Sequence, residues 1–163
     1  MHIATPAETR EKLEKVLGDS VHGALGLKDV LAQERTALEQ RDAVALGKNA
    51  ELKEDCIRKL AAFEKARGEI SRRAGFSASL DDMAALIQWC DEASVVANSW
   101  QHFRTIAREC DAMNSTNGAI IRVRHQQILA GLALLRGSDA RADTYAISNS
   151  GTTGFGGREL AEA

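Results

Sequence analysis

VANSWQHFRTIARECDAMNSTNGAIIRVRHQQILAGLALLR, running from Val96 to Arg136, keeps one heptad pattern from end to end. Steps of four and three residues pick out Val96, Trp100, Phe103, Ala107, Cys110, Asn114, Asn117, Ile121, Arg124, Ile128, Gly131 and Leu135. Eight of those twelve are apolar, and no proline interrupts them. Such a stripe is the seam of one long helix that packs along another helix. At 1.5 Å per residue the helix is about 60 Å long, more than an ordinary helix of a small globule. A rod with one apolar seam suits binding better than chemistry. Asn114 and Asn117 are polar members of the seam, beside Gly118. Polar seam residues set register and cost some stability.

Working outward, 163 residues suffice for one domain with a sizeable core. The single proline, Pro6, lies near the N-terminus, so no missing N–H breaks a helix downstream. Aromatics are 4% and Ala, Leu, Glu, Lys and Arg dominate, which favours helix over sheet. Charges of both signs are interspersed and the net charge is −2, so no nucleic-acid partner is expected. No apolar run is long enough to span a bilayer and no secretory segment follows Met1. The expectation is a cytoplasmic protein without membrane insertion. Cys56, Cys90 and Cys110 are odd in number and far apart, with no CxxC and no Cys/His cluster. They read as reduced thiols packed like small hydrophobes.

The first helix is predicted to start at Thr5-Pro6-Ala7-Glu8, which combines a capping residue, a proline at the first helical position and a capping-box carboxylate. Its stripe is Leu13, Val16, Leu17, Val21, Ala24, Leu27, Leu31 and Leu38. Gly18, Gly23 and Gly26 each weaken it by about 1 kcal/mol, so irregularity is expected around Gly23–Gly26. Arg41-Asp42 is the expected joint, with Asp42 capping a second helix. That helix carries Leu46, Asn49, Lys53, Cys56, Leu60, Phe63, Arg67 and Ile70, a seam weakened by its polar members, and stops at Gly75. A short helix, Met83–Cys90, holds enough apolar surface to close one end of a bundle. After Gly137 the character changes: six of the residues between Ser148 and Gly157 are Ser or Gly, and from Ser138 onward only Tyr145, Ile147, Phe155 and Leu160 are large and apolar. Residues 138–163 therefore read as a flexible tail bearing the chain's one tyrosine, Tyr145.

Catalytic constellations are missing from the sequence. His2, His22, His102 and His125 stand singly, and only His22 has a candidate ligand, Asp19, at helical spacing. Acids alternate with bases, as along Glu8–Lys15, in the manner of a solvated face. Arg122, Arg124 and His125 form a small basic patch suited to phosphate or to an acidic protein partner. No catalytic residue, cofactor or metal is expected.

Asn114-Ser-Thr-Asn117-Gly118-Ala-Ile120-Ile121-Arg122-Val-Arg124, then Leu132-Ala-Leu134-Leu135-Arg136-Gly137 and Thr144-Tyr145, resembles the C-terminal signature of the FlgN family. These are flagellar export chaperones for the hook-associated (hook–filament junction) proteins. Leu31-Ala-Gln-Glu34-Arg35-Thr-Ala-Leu38-Glu39-Gln-Arg41-Asp42 is similar to the family's helix–turn–helix. The resemblance implies a cytosolic helical rod that binds the C-terminal helices of hook-associated proteins and delivers them to the flagellar export gate and its ATPase complex. It implies a cargo-facing role for Ile121, Ile128, Leu132 and Leu135, a motif role for Asn117 and Gly118, and an export-gate contact for Tyr145. The same four aliphatic residues can instead serve as bundle core, and Gly118 can serve close helix packing.

The expected fold is all-α: an antiparallel, coiled-coil-like bundle of three long helices over residues 1–137, with a short extra helix and the flexible C-terminal tail. The expected function is a type III export chaperone. A structural coiled-coil adaptor or self-assembling rod is the alternative, and an unfilled seam can also pair with itself in a homodimer.

Overall fold

The computed structural model describes residues 4–149 of the chain, with side chains as far as Gly137. Four helices follow one another: α1 (Pro6–Gln40), α2 (Ala43–Arg73), α3 (Met83–Cys90) and α4 (Val95–Asn149). The chain divides into two units, Met1–Ile120 and Ile121–Ala163.

Local chemistry sets the ends of the helices. Thr5 caps α1 through a complete capping box, its Oγ1 accepting from the Glu8 N–H while Glu8 Oε2 accepts from the Thr5 N–H at 3.0 Å. α1 then runs without interruption through Gly18, Gly23 and Gly26, so the expected irregularity is absent. Packing overrides the glycine penalty at one of these positions. A Cβ on Gly23 would stand 3.2 Å from the Phe63 ring and 3.3 Å from Leu60, so the bare glycine lets α2 approach closely.

Arg41 ends α1 in the left-handed region (φ 59°), and Asp42 caps α2 by accepting from the Val44 and Ala45 N–H groups, both at 3.0 Å. This two-residue turn folds α2 back antiparallel on α1. At the far end the Ala4 N–H donates to Arg73 O at 3.1 Å. α2 stops at Arg73, and Gly75 takes the positive φ (87°) that a side chain would resist.

α3 closes that end of the bundle. Its Met83, Leu86 and Cys90 are buried with Leu13, Leu17, Ala74 and Val96 in one apolar cluster. Asp91 then caps α4, its carboxylate accepting from the Val95 and Ala97 N–H groups. α4 returns parallel to α1 within the first unit. A second cluster joins Ala24 and Leu31 of α1 to Ile106 and Cys110 of α4, and Cys110 Sγ points at Ala24 O. Lys28 of α1 pairs with Glu109 of α4 at the rim, at 2.6 Å. Up–down–up order makes each consecutive long pair antiparallel and the first and last parallel, the expected bundle.

α4 does not stop at Gly137. It continues to Asn149, because Ser138–Ala142 holds no proline and several good helix formers. The rest of the stretch expected to form a tail, 150–163, lies outside the described residues.

Cys90 and Cys110 are buried, and Cys56 is half-buried. Burial pushes both buried thiols up, helped at Cys90 by the Asp91 carboxylate and opposed at Cys110 by the Lys28 ammonium. Both stay protonated, and so unreactive, further into alkaline solution than a free thiol. Alkylation at pH 8 followed by mass spectrometry should therefore label Cys56 first. Cys90 and Cys110 should be labelled only after denaturant is added.

Candidate partner-binding site

Within the first unit α4 packs part of its seam against α1. Val96 is fully buried, Ile106 and Cys110 nearly so, and Asn117 is 2% exposed. Asn117 sits at a polar node. Its Nδ2 donates to Leu31 O at 3.0 Å and to Glu34 Oε2 at 2.8 Å. Glu34, also buried, accepts from Lys53 Nζ of α2 at 3.1 Å. One carboxylate thus joins α1, α2 and α4. The node fixes a single register, because a shift of one residue would leave the Glu34 charge and the Asn117 amide unpaired in the core. Lys53, a weak member of the α2 seam on sequence grounds, has its partner here.

Next to the node an apolar cleft of about 240 Å³ opens between α2 and α4, floored by α1. Leu27, Leu31, Ile57, Leu60, Phe103 and Asn114 line it. Its volume is comparable to apolar voids that hold a small aromatic ring.

The second unit presents the same seam to solvent. Ile121 is 49% exposed, Ile128 62%, Leu132 45% and Leu135 63%. At 3.6 residues per turn these four lie along one side of α4. Gly118 is half-buried, one residue after the node. Asn117, expected on sequence grounds among the partner-facing residues, is turned into the bundle with its amide committed to α1. Tyr145 belongs to α4, and its side chain is outside the described part.

Three further exposed apolar residues were not singled out from sequence: Val123, Leu129 and Leu134. Leu129 flanks the stripe, whereas Val123 and Leu134 project on the opposite side, so this stretch of α4 carries exposed apolar side chains on two sides. A helical wheel drawn for Ile121–Arg136 alone would have revealed them. Isolated exposed leucines are common, but seven large apolar side chains, four of them along one side, are exposed here on about four turns.

The electrostatics of this stretch are one-sided. Between Asp111 and Asp139 there is no Asp or Glu, while Arg122, Arg124, His125 and Arg136 all fall there. Arg122, His125 and Arg136 are exposed. Among the described residues no group of three or more His, Cys, Asp or Glu side chains could hold a metal ion. None of the described helices is long and apolar enough to cross a membrane. What the arrangement can do is bury the apolar side of a partner helix beside a set of cations.

A family model described as "FlgN protein" matches residues 1–150. No curated protein and no solved structure matches the chain.

Proposed function

The chain belongs to the FlgN family of flagellar export chaperones, and from that premise we propose that it works in the cytoplasm on the hook-associated (hook–filament junction) proteins. In this reading it binds their C-terminal helices, keeps them from associating early, and delivers them to the export gate and its ATPase complex. The role is non-enzymatic. The observation that carries the reading is the exposed stripe Ile121, Ile128, Leu132 and Leu135 of the second unit. A helix-in-groove or helix-on-helix complex uses anchors at this spacing. Gly118 is assigned to partner binding as a site of close approach, and the Asn117 node to holding α1, α2 and α4 in register within the first unit.

Calorimetric titration with the C-terminal segments of hook-associated proteins tests this, using the full chain and a form lacking residues 138–163. Saturable one-to-one binding by both forms is expected. No binding by either would favour a structural coiled-coil rod instead.

Tyr145 is proposed as the contact with the export gate, acting after cargo has bound. Replacing Tyr145 by Ala should leave cargo affinity within about twofold of the original and reduce swarming in soft agar. Normal motility in cells carrying this variant as their only copy would sink the docking role.

A further inference from the structure

We propose that the exposed face of α4 between Ile121 and Leu135 selects a helix whose apolar stripe is flanked by acidic residues, and that it rejects a second copy of itself. This rests on the reading of that face as the partner-binding site, and adds the chemistry of the partner.

Charge is what decides between occupants. The stretch 112–138 contains cations only. Arg122 and Arg136 stand at the two ends of the stripe, both exposed, with His125 between them. In paired helices the residues flanking the apolar seam choose the partner by charge. Two copies of this segment, laid side by side in either direction and in any register, bring no carboxylate opposite an arginine. They bring arginines near arginines, which costs free energy and leaves the apolar gain partly cancelled. An acidic-flanked helix makes the same apolar contacts and adds ion pairs at both ends of the stripe.

A lipid surface fits less well. A helix lying in a bilayer interface carries a strongly polar face opposite its apolar one. Here the opposite side holds Val123 and Leu134, both more than half exposed. A segment apolar on two sides is suited to being enclosed by protein helices. The seam is also the direct continuation of the one that packs helix on helix in the first unit, with the same heptad spacing.

The experiment uses the full chain and two synthetic helical peptides. Both carry an identical stripe of leucine and isoleucine at heptad spacing. One has glutamates flanking the stripe and the other has lysines. The glutamate peptide is expected to bind about tenfold tighter at low salt, the sum of a few rim ion pairs, with the gap closing near 0.5 M salt. Replacing Arg122→Glu together with Arg136→Glu should invert the preference while leaving the thermal unfolding of the bundle unchanged. Equal binding of the two peptides, or no inversion in the double variant, overturns the proposal. So does a dimer by sedimentation at tens of micromolar, or binding to phosphatidylglycerol vesicles tighter than to the glutamate peptide.

The cargo titration separates the two levels. If hook-associated segments bind but the peptides do not differ, the charge rule fails and the chaperone reading stands. If the glutamate peptide is preferred and inverted as expected while cargo segments do not bind, the charge rule stands and the cargo assignment fails.

Discussion

Replacing Arg67 by alanine should destabilise the bundle by about 3–5 kcal/mol, the largest effect expected of any polar side chain in it. Arg67 lies on α2 and is 2% exposed. Its guanidinium donates in bidentate fashion to Glu64, with Nε at 2.8 Å from Oε2. Nη2 also donates to Ala78 O at 2.7 Å, in the link to α3, and Nη1 meets Met83 Sδ at 3.7 Å. The guanidinium carbon lies 5.9 Å from the centre of the Trp100 ring on α4. One side chain therefore ties α2 to the α3 link, to α3 and to the start of α4.

Alanine removes the charge-assisted bond to the half-buried Ala78 carbonyl, the contact with the indole, and a large packed volume together. Urea unfolding followed by far-UV dichroism measures the loss. Arg67→Met keeps most of the volume without the charge and should lose less than alanine, whereas Arg67→Lys keeps the charge without the fork. A loss below about 1 kcal/mol for Arg67→Ala would mean that this end of the bundle is held by its apolar cluster alone.

The opposite profile is expected of Leu132→Ala combined with Leu135→Ala. Both side chains are exposed, so unfolding of the bundle should shift by less than about 0.5 kcal/mol. If a cargo helix covers them, each truncation forfeits roughly 1–2 kcal/mol of apolar burial. Together that is about a 30- to 1000-fold rise in Kd by calorimetry. Unchanged affinity for hook-associated segments would move the cargo contact away from this stripe. The cleft beside Leu31 and Phe103 would then be the next surface to examine.

These two substitutions lie on seams that look alike in sequence. Arg67 is a polar interruption of the α2 seam, and Leu132 and Leu135 accompany the α4 seam. Heptad spacing identified both helices, because burial of one side repeats with the helical turn and marks every seam residue by type. The caps at Thr5 and Asp42, the stop at Gly75 and the bounds of α3 were legible for a similar reason. Each depends on contacts within three or four residues, which the local sequence contains in full. Gly23 was misread as a weak point since its partners, Leu60 and Phe63, are some forty residues away.

The sequence by itself determined that this protein is a set of long helices with one continuous α4 seam, and the residues around Asn117–Gly137 identified its family. Periodicity and short-range capping carry that information without reference to the rest of the chain. Only the tertiary structure decided how the seam is divided. In its first part Val96, Cys110 and Asn117 are buried, and in its later part Ile121, Ile128 and Leu135 are exposed. A heptad states that a helix wants a neighbour and does not state which neighbour it has. The same limit applies to Asn117, whose partners Leu31 and Glu34 come from 86 and 83 residues away. Its role as an internal register lock depends on three helices meeting, a condition that no local pattern encodes.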